Sequence, residues 1–271
     1  MGMLDGKVAI VTGAGSGIGR AGAILMAREG AAVVVAEINA PAGESVAELI
    51  RAEGSQAEFQ ATDVRDGGSV EALVAATLAR FGRVDALFHN AMSVPLVNDR
   101  DRRVTELPDA TWHAIIDLCL TGTFHCAKHV GRQMLKQHSG SMIFTATDDA
   151  LIGQAGIDGY TAAKGGVVAM TRSMAAGLSP EGVRVNAVCP GFVNTPHQGV
   201  FINDPAQRKV IENLHLLPIS EPEDIAEFAV FLASDRARTV TGGVFPVDAG
   251  YLAFKARVDL NAVFQRDEAA S

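Results

Sequence analysis

The sequence predicts an α/β protein: one doubly wound domain with a mainly parallel sheet and helices on both faces. Three observations carry that expectation. Strand-length apolar runs alternate with helix-length stretches along the chain. The runs are apolar throughout, the pattern of strands buried on both faces. A glycine-rich turn joins the first run directly to the first helix.

The elements follow in order. "KVAIVTGA" reads as a strand before a helix over about 18–29. "AAVVVAE" leads into a helix over about 43–52, and "AEFQATDV" into one over about 69–80. "VDALFHNA" precedes a helix over about 111–134, and "GSMIFTAT" one over about 160–178. "VRVNAVCPG" is followed by irregular chain to about residue 218, then a helix over about 223–232. The short strand "GGVFPVDAG" closes the pattern. Repeated strand–helix units imply parallel strands joined by right-handed crossovers. No linker, low-complexity tract or further repeat interrupts them, and 271 residues suit a single large domain.

Composition narrows the function. Apolar residues make up 48% and charged residues 20%, enough for a sizeable core. The net charge of −8 argues against nucleic acid or an anionic membrane surface as partner. The segment "MGMLDGKVAIVTGAG" is expected to carry no signal peptide, and no run of 18 uncharged apolar residues suggests a membrane span. Cys119 and Cys126 stand seven apart on a predicted helix, two turns or roughly 10.5 Å, too far for a disulfide. With Cys189 they make no CxxC, so a reducing cytoplasm is expected.

The first turn, "VTGAGSGIGR", holds Gly13, Gly17 and Gly19. It opens a helix, whose free N–H groups and positive dipole end suit a pyrophosphate, and glycine lets the backbone approach it. This is the Rossmann arrangement for a dinucleotide. Glu37, about 20 residues on, is placed to accept from the adenosine ribose hydroxyls and to repel a 2′-phosphate. Ser16 stands where a cation would favour that phosphate, although Arg20 is close by; NAD is expected over NADP.

Tyr160 and Lys164 are four residues apart, which puts them on one helical face. A tyrosine base working near neutrality needs its pKa of ~10 lowered by about 3 units. A fixed ammonium in a partly dry cleft pushes in that direction.

Together these motifs resemble the short-chain dehydrogenase/reductase family over about 4–251. "TGAGSGIG" matches its TGxxxGIG, Asp63–Val64 its adenine-contacting pair and Asn90–Ala91 the centre of its NNAG. "YTAAK" matches YxxxK, and "RVNAVCPGFVNTP" matches RVNxxxPGxxxTP. The resemblance implies that Tyr160 is the acid/base, and that Lys164 lowers the tyrosine pKa and binds the nicotinamide ribose. It implies that Thr195 and the backbone near Val193, after Pro190 and Gly191, hold the nicotinamide carboxamide. Asp63 would bond the adenine amine, Asn90 would lie beside the cofactor, and Ser16 and Ile18 belong to the phosphate turn. A catalytic domain over 1–253 and a homotetramer are implied too, with helices near 111–134 and 160–178 as contact surfaces.

Three departures from the family pattern stand out. The family serine thirteen residues before the tyrosine is Thr147 here, which keeps the hydroxyl on a stiffer side chain. Thr145 and Asp148 are its polar neighbours, and Asp148 is placed to touch substrate. Cys119 replaces an asparagine that supports a water chain to the lysine; it reads best as a small buried residue, with Thr123 able to compensate. "HNAM" replaces NNAG: His89 reads as a strand-end packing residue, and Met92 as a side chain narrowing the space beside the cofactor.

Residues 192–219 are expected to form a lid over the substrate, with Phe192 and His197 among its contacts. His125 and His129 have i, i+4 spacing but no third ligand, so no metal site is expected. The run "NDRDRR" reads as a solvated loop. Residues 254–271 form a C-terminal extension in which Phe254, Val258, Val263 and Phe264 are candidates for subunit packing. The leading expectation is an NAD-dependent oxidoreductase interconverting a secondary alcohol and a ketone. The alternative is a dinucleotide-binding scaffold or sensor with impaired turnover.

Overall fold

A computed structural model describes residues 2–254; Val258, Val263 and Phe264 lie outside the described residues. Seven strands form one parallel sheet: β1 Val8–Thr12, β2 Ala32–Glu37, β3 Ala57–Ala61, β4 Ala86–His89, β5 Gly140–Thr145, β6 Val183–Pro190 and β7 Val244–Val247. Their order is β3-β2-β1-β4-β5-β6-β7. The central strands are largely apolar because successive residues enter different cores. Ala9, Val11, Val33, Val35 and Phe88 pack on one face, and Ile10, Val34, Ala36 and Leu87 on the other.

The helices cover those faces. α1 (Gly17–Arg28), α2 (Ala40–Ala52) and α10 (Pro222–Ala233) contribute to the first core. α3 (Gly67–Phe81), α6 (Gly122–Gln137) and α7 (Asp158–Leu178) contribute to the second. Helix starts follow local chemistry. Asn39 caps α2 and Pro41 lies in its first turn, so the helix begins before the predicted residue 43. Asp66 accepts from Gly68 N at 2.8 Å and opens α3.

Four places differ from the sequence expectation. The predicted helix over 111–134 runs continuously but changes register: α5 (Asp109–Ile116) and α6 are joined by a π-helical turn, Asp117–Thr121, that carries Cys119. The chain after β4 forms α4 (Val94–Arg100), started by Ser93 and Pro95. The irregular stretch after β6 contains α8 (Gly199–Ile202) and α9 (Pro205–Asn213), the latter capped by Asp204.

The fourth difference is the run "NDRDRR". Its first three residues close α4, and its second aspartate turns inward. Asp101 is 1% exposed, while Arg100, Arg102 and Arg103 face solvent. Its carboxylate accepts from Tyr160 N at 2.8 Å and Gly159 N at 3.2 Å. Ile157, the residue preceding α7, supplies no side-chain cap. Asp101 therefore satisfies first-turn N–H groups that would otherwise be orphaned, and its charge suits the positive end of the helix. Asp158 locks the same junction by accepting from Val104 N at 2.7 Å.

Removing this capping carboxylate strips acceptors from buried N–H groups. Asp101→Ala should lower unfolding stability by ~2 kcal/mol in urea denaturation; an unchanged midpoint would contradict the role.

Candidate active site

Strand order reverses between β1 and β4, so the ligand crevice opens at their carboxyl ends. A cleft of about 1050 Å³ lies there. Its floor is organised by Thr12. The Thr12 hydroxyl oxygen accepts from Asn90 N at 3.1 Å and Ala91 N at 3.3 Å, leaving its proton for His89 Nδ1 at 2.8 Å. Burial and the Lys164 charge push His89 down to about 3, so it is a neutral packing side chain, edge-on to Phe144.

The glycine spacing follows from contact. Gly13 has φ +63°, and a Cβ there would lie 2.8 Å from Ala91 Cα. A Cβ on Gly19 would lie 2.1 Å from Gly13 O. α1 starts at Gly17 with no side-chain cap and no acidic residue in its first turn. Its N–H groups are thus left for an anionic group, and Gly13, Ser16, Gly17 and Ile18 line the cleft beside them. Glu37 lines the same end, accepting from Gly15 N at 3.0 Å, Ile38 N at 2.9 Å and Asn39 N at 3.0 Å.

Asp63, Val64, Asn90, Ala91, Pro190, Gly191, Val193 and Thr195 also face the cleft. Thr195 lies against Gly17, its Cγ2 3.2 Å from where a Cβ would stand. Asp63 is forked by Arg65, Nη2 to Oδ2 at 2.7 Å, and that hydrogen bond holds its carboxyl below the usual range. Of the expected cofactor residues, Gly19 and Lys164 do not line the cleft. Gly19 packs on the turn, and Lys164 is 3% exposed behind Tyr160. The arrangement fits a dinucleotide: a carboxylate at one end, an uncapped helix start in the middle and hydroxyls at the other end. Thr145 Oγ1, buried and unpartnered among the described residues, adds a free hydrogen-bonding group to that wall.

α7 brings Tyr160 and Lys164 to one face. Tyr160 is packed with Val97, Ile115, Cys119 and Ala163. Lys164 Nζ donates to Thr145 O at 2.6 Å and stands 5.8 Å from the Tyr160 ring centre. Burial pushes the Tyr160 phenol above its ordinary value; Cys119 and Asp149 add to this and the Thr147 hydrogen bond opposes it. The downward shift expected from a neighbouring ammonium is therefore outweighed, because desolvation dominates inside this apolar cluster. Burial also lowers Lys164.

Thr147 is buried at the end of β5, beside Tyr160. Its hydroxyl lies 3.0 Å from Asp148 Oδ1 and 3.1 Å from Asp149 Oδ2, and accepts from Asp149 N at 3.3 Å. Burial and Asp149 push Asp148 up to about 7. Burial raises Asp149 too.

The remaining candidates separate clearly. Phe192 packs with Ile202, Ile211 and Ile219 under the lid, and His197 lines the cleft from an exposed position. Met92 borders the cleft half-exposed, without a left-handed backbone. Cys119 is 1% exposed and its thiol is raised by burial. Thr123 donates to the Cys119 carbonyl at 2.8 Å, so its hydroxyl proton is committed there. His125 bonds Val64 O at 3.1 Å, and no metal-competent cluster occurs among the described residues.

Among the lining residues that sequence reasoning missed are Asp149, His215 and Tyr251. Asp149 was signalled by its place next to Asp148. Tyr251 had one weak signal, as one of only two tyrosines. His215 had none, because a long lid separates it from the strands.

Fold and site together define a Rossmann-type oxidoreductase. A family model described as "Enoyl-(Acyl carrier protein) reductase" matches residues 13–252. The cis-4-hydroxycyclohexanecarboxylate dehydrogenase of Sinomonas cyclohexanicum is 40% identical over 91% of this chain and 97% of its own length. The 2,5-dichloro-2,5-cyclohexadiene-1,4-diol dehydrogenase of Sphingobium indicum is 39% identical over 92% and 98%. A short-chain type dehydrogenase/reductase from Mycobacterium ulcerans superposes with TM-score 0.88 at 26% identity, covering 97% of this chain and 95% of that one. The chain belongs to the short-chain dehydrogenase/reductase family.

The buried Asp148 has a sign-definite consequence. Its folded pKa lies above the unfolded value of ~3.9, so the native state binds more protons between about pH 4 and 7. Stability therefore falls across that window as pH rises. Asp148→Asn removes the penalty: between pH 4 and pH 8 its stability should gain on wild type by up to ~4 kcal/mol. A wild-type-to-variant difference that is the same at both pH values would refute the assignment.

Proposed function

We propose that this protein is an NAD-dependent oxidoreductase that interconverts a secondary alcohol and a ketone. The observation that carries the reading is the meeting of Thr147 and Tyr160 in a cleft that also takes in the glycine turn and Glu37, with Lys164 buried beside the tyrosine. Thr147 and Tyr160 hold the substrate oxygen. In oxidation Tyr160 takes the hydroxyl proton, and in reduction it returns it. Lys164 stabilises the phenolate from behind, oriented by Thr145 O. A bound nicotinamide supplies the hydride acceptor or donor. The chain's part is position and electrostatics, with Asn90 and Thr195 bordering the nicotinamide end.

The preference for NAD rests on Glu37. Its carboxylate faces the adenosine end of the cleft and repels a 2′-phosphate. Arg65 is the cation lining that end among the described residues, and it is committed to Asp63.

Assembly as a homotetramer is part of the proposal, supported by the exposed Trp112 and Phe124 on α5 and α6. A cytoplasmic setting is supported by three free, buried cysteines. No helix among the described residues is long and apolar enough to cross a membrane.

Tyr160→Phe should reduce kcat on any alcohol the enzyme turns over by ~10²-fold or more, read by NADH absorbance. Equal activity in the variant would sink the mechanism, and tight NADH binding without turnover on any alcohol or ketone would favour a scaffold. Glu37→Ala should raise the NADP/NAD ratio of kcat/KM by about tenfold, as expected for losing one close charge repulsion; an unchanged ratio would overturn the assigned role.

A further inference from the structure

The substrate end of the cleft is lined by hydrogen-bond acceptors. Asp148 Oδ1 and Asp149 Oδ2 are engaged by the Thr147 hydroxyl, and Asp148 Oδ1 also takes Asp149 N at 2.9 Å. Asp148 Oδ2 and Asp149 Oδ1 are left without a donor among the described residues. Both side chains line the cleft beside Tyr160.

A third acceptor comes from the lid. His215 is 0% exposed and lines the same cleft. Its Nδ1 lies 2.7 Å from Ile211 O, a carbonyl that only accepts, so Nδ1 carries the proton. In the neutral ring Nε2 is then a bare acceptor, and it is buried with no partner among the described residues. An unmatched buried acceptor costs free energy until a donor reaches it. The His215 ring packs against Tyr251, 5.3 Å between centres, and Tyr251 feels the charges of Asp148 and Asp149. The lid and the β5 end thus meet around one space. No lysine or arginine lines it among the described residues; the lining cation, Arg65, belongs to the opposite end.

We propose that the substrate is a neutral diol or polyol whose second hydroxyl is read by Asp149, with Asp148 and His215 as neighbouring acceptors. This rests on the alcohol/ketone reading of the cleft. Donor hydroxyls satisfy the unmatched acceptors, whereas a carboxylate or phosphate would add negative charge where burial already raises Asp148 and Asp149, with no lysine or arginine lining that end among the described residues. The proposal separates this chain from a relative named for a hydroxycarboxylate and aligns it with one named for a cyclic diol.

The test compares cyclohexane-1,2-diol and -1,4-diol with cyclohexanol and cis-4-hydroxycyclohexanecarboxylate, using the full chain. Turnover with NAD and calorimetric binding in the presence of NADH are both measured, for wild type and Asp149→Ala. The better diol should exceed both cyclohexanol and the carboxylate by at least tenfold in kcat/KM and in Kd. Asp149→Ala should reduce the diol-to-cyclohexanol ratio at least fivefold. Tighter diol binding without turnover of any compound would support the ligand class while defeating the proposed reaction. A wild type that oxidises cyclohexanol or the carboxylate as well as the diols would overturn the ligand class and leave the reaction standing. An unchanged diol-to-cyclohexanol ratio in Asp149→Ala would overturn the role of Asp149.

Discussion

Burial of a parallel sheet on both faces is the constraint from which the rest follows. A parallel pair cannot be closed by a tight turn, so each strand must be followed by a crossover that lies on one face. All strands then run the same way and every carboxyl end lies on one edge. Mid-strand positions of the central strands are mostly core, and polar residues gather at that edge: Thr12, Glu37, His89, Asn90, Thr145 and Thr147. Reversal of the strand order between β1 and β4 leaves the crossovers on either side diverging. The resulting gap is the cleft, and the chemistry-bearing side chains are already around its rim.

Position within that gap is set by hydrogen bonds from outside the sheet. α7 carries Tyr160 and Lys164, yet its start is held by Asp101, about sixty residues earlier in the chain. Its inner face is held by Lys164 on Thr145 O. Between those anchors Tyr160 lies in an apolar cluster with Cys119, on a π-helical turn. Such turns recur at functional sites because the extra residue re-aims side chains on one helical face. Here the re-aimed residue is a thiol, which fills space and offers little hydrogen bonding. The cluster consequently raises the phenol, and the ammonium behind it works against that burial.

How much was legible in the sequence depended on whether the signal was local. Tyr160 and Lys164 share a helical face by spacing, and Thr147 follows by counting back along one strand–loop unit. The Gly13, Gly17 and Gly19 turn is local as well, and its close contacts explain the glycines. Asp101 was illegible because a carboxylate among arginines in a polar run looks like solvated surface; only its hydrogen bonds to the start of α7 turn it inward. The π turn was hidden because its hydrophobic pattern continues that of the flanking helices. His215 and Tyr251 reach the cleft through the lid and the turn after β7, where Leu216 N and Leu217 N bond Ala249 O. No periodicity records such a contact. The Tyr160 shift was mistaken for the same reason: spacing supplies a neighbouring charge but not the dielectric around it.

The buried, unpartnered His215 Nε2 follows the same logic one step further. Protein interiors rarely keep polar atoms without partners, and each instance in a native fold calls for a physical cause. Asp148 and Asp149 sit side by side on a strand end, where mutual repulsion and desolvation disfavour both charges. A lysine or arginine in the lid would have relieved them, yet the lid places a histidine there with its proton turned away. The arrangement is instead matched to a molecule that brings donors and no negative charge. The same carboxylates lie on the Thr147 hydroxyl, so the groups that read the second hydroxyl also orient the one that holds the first.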